Sequence, residues 1–384
     1  MDAVAKIEML GRAAQYDLCG EGCGTEMHRV RDDLDRWIYP AAMPDGRRIA
    51  MLKVLMTNAC ENDCRYCAMR AGRDSRRVAF SPDELARLFD QLHTAGRVQG
   101  LFLSSSVRDG PDRTMAQMIA AVEILRLRYG FTGYVHLKIL PGADRAAIQQ
   151  AVALADRVSV NLEAPNAARL AHLSGAKDFQ GDLLSRLYWA RQVIDTTPRR
   201  PRDVHYGGAR GGITTQFVVG AAGESDREIL TTTDRLYREI ALRRAYYSAF
   251  QPVPDTPLDG QPPTPPLREH RLYQSDWLLR QYGFTFPELV FDEAGNLPLH
   301  ADPKMVWTEA HPAFFPLEVN RASREELLRV PGIGPRSVAR ILQVRRERAF
   351  RSLEDLDRMG VVARRAAPYI LLNGRRPPVQ LPLY

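Results

Sequence analysis

The chain has 384 residues, of which 45% are hydrophobic, and carries a formal net charge of +7 with a pI near 9.2. This length predicts two or three domains, and no apolar run reaches the roughly 18 residues that a membrane span needs. The first residues include Asp2 and Glu8 and lack the apolar stretch of a secretory signal. We therefore expect a cytoplasmic protein without membrane segments, in which cysteines stay reduced. The positive balance is compatible with a phosphate-bearing partner.

Residues 1–45 are predicted to be an N-terminal extension with one short helical pattern followed by glycines and prolines. Two of the five cysteines, Cys19 and Cys23, lie here in a glycine-rich string. They are either two free thiols or, with His28, ligands of a second metal. Free thiols are favoured, because two thiolates alone seldom make a structural metal site.

From residue 46 the chain alternates short, apolar, β-rich stretches with amphipathic helical patterns. The predicted strands are residues 51–57, 100–105, 134–140, 157–162, 214–220 and 246–252. Ser81, followed by proline at the first helical position and Glu84 at the third, is a strong helix start. Repeated β–α units predict an α/β fold with a parallel sheet and helices outside it.

Three cysteines, Cys60, Cys64 and Cys67, follow the first of these strands in the string Cys-Glu-Asn-Asp-Cys-Arg-Tyr-Cys. Three thiolates within eight residues can wrap one compact metal centre and leave one coordination position open. The alternatives are part of a zinc site or three reduced thiols in a loop. Zinc ligands usually come as two separated pairs, and His93, the nearest downstream histidine, has no partner at ligand spacing.

A strand followed by a C-x3-C-x2-C loop, with the aromatic Tyr66 before the last cysteine, resembles the signature of the radical S-adenosylmethionine (SAM) superfamily. The resemblance implies a [4Fe-4S] cluster in which the thiolates hold three irons and SAM chelates the fourth. It also implies a partial (β/α)6 barrel, over residues 46–260, and a one-electron reductant such as flavodoxin or ferredoxin.

The same resemblance implies SAM contacts where the strands end. Besides Tyr66, the candidate residues are Ser104 and Ser105 after the second strand, Lys138 in the third, Asn161 and Glu163 after the fourth, and Gly220, with Glu224, after the fifth. In the family these regions meet the amino group, the carboxylate, the ribose and the adenine of SAM. Each residue taken alone is equally well explained as an ordinary hydrogen bonder at a strand end.

A proline-rich stretch ends the predicted barrel, and residues 261–316 are predicted to be a linker with a connecting helix. The segment 317–374 then changes character. A helix begins at Ser323, capped reciprocally by Glu326, and ends at Val330. A tight Pro-Gly-Ile-Gly-Pro turn follows, and a second helix starts at once. Residues 375–384 are a tail.

This arrangement resembles the helix-hairpin-helix motif of DNA-binding and DNA-repair proteins, which implies a small all-α domain that binds double-stranded DNA. Backbone N–H groups of such a turn make an anion site that suits a phosphate. The candidate contacts are Gly332, Ile333, Gly334, Arg336, Ser337 and Arg340. Twelve arginines against seven acids give residues 317–374 a net charge of 12 − 7 = +5. The alternatives are a plain helix connector or a protein-docking module.

Together, the two motifs make the chain similar to radical SAM proteins of DNA modification or repair. That resemblance implies reductive cleavage of SAM and hydrogen abstraction from a nucleotide. Two alternatives stay open: an RNA-modifying radical SAM enzyme, and a DNA-binding protein whose cluster is structural or redox-sensing. The sequence assigns no catalytic residue; Tyr246 and Tyr247 are either hydrogen donors or core tyrosines.

Overall fold

A computed structural model of the protein describes residues 3–14, 37–42, 48–198 and 206–378. The chain divides into two units: Met1–Glu224 with Arg235–Glu269, and Ser225–Asp234 with His270–Tyr384. The possible second metal site at Cys19, Cys23 and His28 lies outside the described residues, so it stays a prediction.

The first unit is built on one seven-stranded sheet in which neighbours in the chain are neighbours in the sheet. β1 pairs antiparallel with β2, and every later strand is parallel to its predecessor. No ladder joins β1 to β7 among the described strands, so the curled sheet is an open half-barrel. The strands are β1 Ile38–Ala42, β2 Arg48–Leu55, β3 Gly100–Ser104, β4 Tyr134–Lys138, β5 Arg157–Ser159, β6 Ile213–Val219 and β7 Arg244–Ala249.

Helices connect these strands, as parallel pairing requires. They are α2 Pro82–Thr94, α3 Pro111–Glu123, α4 Arg145–Leu154, α5 Ala167–Leu173, α6 Ser185–Thr196 and α7 Asp226–Ile240, with π-helical turns at Ile124–Arg128 and Phe179–Leu184. Two further helices, α1 Ala3–Ala13 and α8 Pro266–Gln281, precede β1 and follow β7. α2 begins as predicted, because Ser81 and Glu84 cap each other's backbone N–H groups.

The two faces of the sheet differ in chemistry, because side chains alternate along each strand. One face is apolar and fully buried, as expected beneath crossover helices; it includes Leu52, Val54, Leu101, Leu103, Val135, Leu137 and Val158. The opposite face carries polar and charged side chains in its middle and is called the polar face below. Its members include Lys53, Phe102, His136, Ser159 and Thr214.

The α/β half-barrel with six parallel strands is confirmed, although most strands are shorter than predicted. The added edge strand β1 was not predicted, because Pro40 interrupts its short apolar pattern. Proline is tolerated on an edge strand, where one row of N–H groups has no ladder partner.

The described part of the second unit contains five short α-helices, of which the last four surround an apolar core. They are α9 Pro303–Ala310, α10 Arg324–Arg329, α11 Pro335–Val344, α12 Leu353–Asp357 and α13 Ala363–Ala366. A two-residue parallel ladder joins β8 Leu317–Glu318 to β9 Ile370–Leu371, a feature that the all-α prediction did not include. None of the helices in the described part of the chain has the length and apolarity to span a membrane.

Candidate functional site

The three cysteines predicted as ligands lie in one loop that follows β2, at the carboxyl edge of the parallel sheet. We call residues 58–73 the cysteine loop. All three thiols are free, and Cys64 is buried while Cys60 and Cys67 are partly exposed. Backbone hydrogen bonds tie the loop to neighbouring segments: the N–H of Glu61 donates to Val107 (2.9 Å), and that of Arg65 to Leu173 (2.8 Å).

A single arginine holds the cysteine loop in shape. The guanidinium of Arg77 donates to four loop carbonyls, those of Asn58 (2.7 Å), Met69 (2.9 Å), Arg70 (2.8 Å) and Arg73 (2.9 Å). Five donors on a rigid fork suit this task, which a lysine would not perform. The loop is therefore pre-organised around its thiols.

A buried cation, Lys177, lies beside the thiols and was not predicted from the sequence. It hydrogen-bonds Cys64 and stands 3.9 Å from Glu163, and its side chain is only 7% exposed. Burial alone would lower its pKa, but the negative charges of Cys64 and Glu163 raise it above the ordinary value. Burial raises the pKa of Cys64 and, with the charge of Cys64, raises that of Cys67 to about 12.

Glu163 connects this cation to the predicted aromatic residue of the motif. It accepts a hydrogen bond from the hydroxyl of Tyr66, whose pKa lies well above the ordinary value because of burial and the nearby charge of Glu163. The backbone of Glu163 has a left-handed φ of 65°, which is rare for a residue with a side chain. Hydrogen bonds to Gln216 (2.9 Å) and from Val218 (2.8 Å) hold it there. Strained residues kept in place by their surroundings are typical of binding sites.

The segment that carries Lys177 is anchored by an acid of the cysteine loop. Asp63 accepts hydrogen bonds from Ser174 Oγ (2.5 Å) and from the N–H groups of Gly175 (2.9 Å) and Ala176 (3.2 Å). Burial would raise its pKa, but these hydrogen bonds hold it below the ordinary value. A lone lysine so far along the chain gives no sequence signal; only folding brings it to the thiols.

The donor set fits a cluster that leaves one iron open. It consists of three thiols without a histidine, and the buried Lys177 balances part of the thiolate charge. Among the described residues, no group of three or more histidine, cysteine or acidic side chains is arranged to hold a single metal ion. In a cubane cluster each thiolate instead binds its own iron at a separate corner, so the sulfurs need not converge on one point.

Most of the other residues predicted to contact SAM follow the carboxyl ends of consecutive strands. Ser104 ends β3 and is buried, and Lys138 ends β4; Asn161 is buried two residues after β5. The hydroxyl of Ser105 donates to the carbonyl of Ser106 (2.7 Å). Because the carboxyl ends of parallel strands share one edge, these residues share an edge with the cysteine loop.

Gly220 and Glu224 close the turn after β6. Gly220 has a φ of 92°, and a side chain there would collide with Thr264. Glu224 accepts the N–H groups of Gly220 and Ala222, and burial raises its pKa. These contacts give both residues a role in shaping the turn, whatever else they bind.

In the second unit, the segment predicted to be a helix-hairpin-helix contains α10, a tight turn and α11. We call residues 317–374 the C-terminal module. Ile333, in the turn, is buried, and its carbonyl accepts a hydrogen bond from the buried Lys304 (2.7 Å). Gly332 has a φ of 82° and accepts the N–H of Val362 (2.9 Å). An added Cβ at Gly334 would meet only the hydroxyl of Tyr282, at 3.2 Å.

A second, shorter pair of helices, α12 and α13, packs against α10 and α11. The buried hydroxyl of Ser337 donates to the carbonyl of Gly360 (2.7 Å), and Arg340 reaches the carbonyl of Met359 (3.4 Å). Ser337 therefore connects the two pairs of helices, whereas Arg336 is exposed at the start of α11. Ten of the twelve arginines of the module are exposed, so its positive charge is on its surface.

Comparison with known proteins gives a family match for part of the first unit. Residues 54–201 match the profile of the Radical SAM superfamily. This segment includes the three cysteines, Tyr66, Glu163 and Lys177. The segment is therefore similar to radical SAM domains, and members of this superfamily use a [4Fe-4S] cluster and S-adenosylmethionine. No curated protein matches the chain.

Several solved structures are similar to the chain. The FeFe-hydrogenase maturase HydG from Carboxydothermus hydrogenoformans is 13% identical over 59% of this chain and 50% of its own, with a TM-score of 0.46. Methylornithine synthase (PylB) is 15% identical over 57% and 59%, with a TM-score of 0.44. SuiB from Streptococcus suis is 13% identical over 71% and 52%, with a TM-score of 0.41. This chain spans about half the length of these structures, and such weak similarities carry no argument about activity.

Proposed function

We propose that the protein, whose residues 54–201 match the Radical SAM superfamily, is a radical SAM enzyme that repairs or modifies a nucleotide of DNA. The observation that carries the enzyme assignment is the pre-organised loop of three free thiols beside the buried pair of Lys177 and Glu163. When bound, the cluster and SAM would supply a 5′-deoxyadenosyl radical that abstracts a hydrogen atom. A flavodoxin or ferredoxin would supply the electron.

The chain's residues have defined tasks in this proposal. Cys60, Cys64 and Cys67 would hold the cluster, and Arg77 keeps their loop in place. Lys177 would meet the carboxylate of SAM, because it is the buried cation nearest the thiols. Glu163 would accept hydrogen bonds from the ribose, whose hydroxyls are donors that suit a carboxylate.

DNA as the partner is supported by the charge and shape of the C-terminal module. Its twelve arginines and seven acids give 12 − 7 = +5, and most of the arginines are exposed. The N–H groups at the start of α11 are free of a side-chain cap, as expected where a phosphate takes that place. Arg336 is exposed beside them. Ser337 and Ile333 would support the turn from inside rather than contact the phosphate.

The test of the radical chemistry is anaerobic reconstitution of the full chain with iron and sulfide. We expect about four irons per chain at this site, and 5′-deoxyadenosine from SAM after reduction. Replacing Cys60, Cys64 and Cys67 together with serine should abolish both. Arg87→Gln, on the exposed side of α2, is a control that should keep both. A cluster in the wild type with no SAM cleavage would instead favour a structural or redox-sensing role.

The test of DNA binding is duplex affinity at several salt concentrations. Arg336→Gln should weaken binding and reduce the slope of log K against log salt by about 0.9, the value for one phosphate contact. Arg87→Gln removes the same charge from the first unit and should change neither. Binding that ignores salt, or an equal affinity of both variants and the wild type for duplex DNA, would contradict the proposal. Tighter binding of single-stranded RNA would favour the RNA-modifying alternative.

A further inference from the structure

The polar face of the half-barrel contains a buried lysine that has no counter-charge among the described residues. Lys53 is in the middle of β2, and the residue is only 2% exposed. Its Nζ lies over the ring of Tyr39 at 5.2 Å and over that of Phe102 at 5.7 Å. Within the described ranges of the chain, no carboxylate or hydrogen-bond acceptor pairs with this nitrogen. Lys177, in contrast, has a carboxylate, that of Glu163, and a hydrogen-bond acceptor, the sulfur of Cys64.

Such burial is costly unless something else compensates. Removing an ammonium from water without a partner costs several kcal/mol, whereas a cation–π contact returns about 0.5–2 kcal/mol. The two rings therefore do not offset the cost. Since the described residues provide no anionic partner for this cation, its position suits an anionic ligand.

The composition of the sheet indicates the sign of that ligand. The seven strands contain no aspartate or glutamate, but they contain five cationic residues. These are Arg48, Lys53, Lys138, Arg157 and Arg244. Arg48 alternates with Lys53 and lies on the opposite face, whereas the other four lie on the polar face. Strand cations without strand acids on one face give that face a positive potential. It favours an anion and disfavours a cation.

Neighbouring side chains on the polar face provide hydrogen-bonding groups. Phe102 contacts the ring of His136 edge-on at 4.6 Å, and Nε2 of His136 is 2.9 Å from the hydroxyl of Ser159. Thr214 is paired with Ser159 in the sheet, and its buried hydroxyl has no hydrogen-bond partner. The same face has an apolar cluster of Ala41, Met51 and Phe102, in which Met51 precedes Lys53 on β2 and Phe102 is level with it. Lys53 therefore lies on the side of Met51 towards the cysteine loop.

We propose that Lys53 binds an anionic oxygen of the substrate, a phosphate group, inside the half-barrel. This names the substrate group that enters the barrel. It rests on the proposed radical chemistry in the barrel but not on DNA binding by the C-terminal module. A phosphate fits because it pairs with the ammonium and still accepts hydrogen bonds from hydroxyl groups.

The experiment measures equilibrium binding of small probes to the reconstituted full chain with SAM present, by calorimetry. The probes are thymidine 5′-monophosphate, thymidine, which differs only in lacking the phosphate, and inorganic phosphate alone. We expect the monophosphate to bind at least about tenfold more tightly than thymidine, since hydrogen bonds to charged groups contribute about 1.5–3 kcal/mol. Inorganic phosphate should compete with the monophosphate, which would show that the phosphate itself is recognised.

Variants locate the site. Methionine is close in volume to lysine and easily buried. Lys53→Met should weaken binding of the monophosphate at least about tenfold and leave the affinity for thymidine unchanged. Lys53→Arg should keep the preference for the monophosphate. Lys6→Met removes a lysine paired with Glu84 and is the matched control. Arg336→Gln excludes binding of the phosphate by the C-terminal module and should not change the affinity. Iron content confirms that each variant is folded.

Three results would overturn the proposal: equal affinity of the wild type for the monophosphate and thymidine, an unchanged affinity in Lys53→Met, or a loss confined to Arg336→Gln. Because the readout is binding, the proposal is separable from the enzyme assignment. A protein that binds the monophosphate through Lys53 but never cleaves SAM would contradict the proposed radical chemistry and leave the anion site in place.

Discussion

Replacing Gly332 with alanine should destabilise the C-terminal module, and the structure gives the size of the effect. Gly332 has a φ of 82°, and an added Cβ would stand 2.5 Å from the carbonyl oxygen of Val362 and 3.0 Å from Cβ of Arg365. The left-handed backbone costs a residue with a side chain about 1–2 kcal/mol. Overpacking against backbone adds about 1–3 kcal/mol.

The expected loss is therefore about 2–5 kcal/mol, a large part of the roughly 5–15 kcal/mol that stabilises a typical domain. Because the N–H of Val362 donates to the carbonyl of Gly332 (2.9 Å), relief of the clash would separate the two pairs of helices. Hydrogen exchange of the amides in α10 and α11, measured in the full chain, reports this opening. Exchange should accelerate at least about 30-fold in the variant.

Gly334→Ala is the matched control, two residues away in the same turn. Gly334 has a φ of −111°, which any residue adopts, and its added Cβ would meet only the Tyr282 hydroxyl at 3.2 Å. Its exchange rates should stay close to those of the wild type. Equal protection of the two variants would refute the reasoning, because it would show that neither the backbone conformation nor the contact with Val362 limits this turn.

Two further predictions concern buried lysines. Lys177→Met should weaken SAM binding at least about tenfold and keep the iron content, whereas Lys138→Met should weaken it less. Calorimetry measures both affinities. The reverse order would favour Lys138, the lysine predicted from the sequence. Burial, with the nearby Arg365 and Arg329, lowers the pKa of Lys304 from 10.5 to about 7. The unfolded chain then binds more protons between these values, so the free energy of unfolding of the wild type should rise from pH 7 towards 10.5. Lys304→Met should remove that rise in urea titrations, and an equal rise in both proteins would show that other groups cause it.

The cysteine motif and the parallel strands were predictable from the sequence because both are local patterns. Ligand spacing is fixed within eight residues, and a buried strand shows as a short apolar run between turn signals. The helix start at Ser81 and the hairpin turn at Gly332 were legible for the same reason, since capping and left-handed turns demand particular residue types. The sequence did not predict the exact ends of β5 and β7 or the edge strand β1. Pairing with neighbouring strands decides where a strand ends, and that pairing is not local in the sequence.

The charges around the candidate site were decided by the tertiary structure alone. The sequence determined that three thiols share a loop and that an arginine-rich segment follows near the C-terminus. It gave no sign that Lys177 would stand beside Cys64, that Ser337 would bond to Gly360 rather than face solvent, or that Lys53 would be buried with no counter-charge among the described residues. Each of these depends on which distant segments fold against the residue. Burial removes water and gives a charge its strength, and only folding determines which groups replace that water.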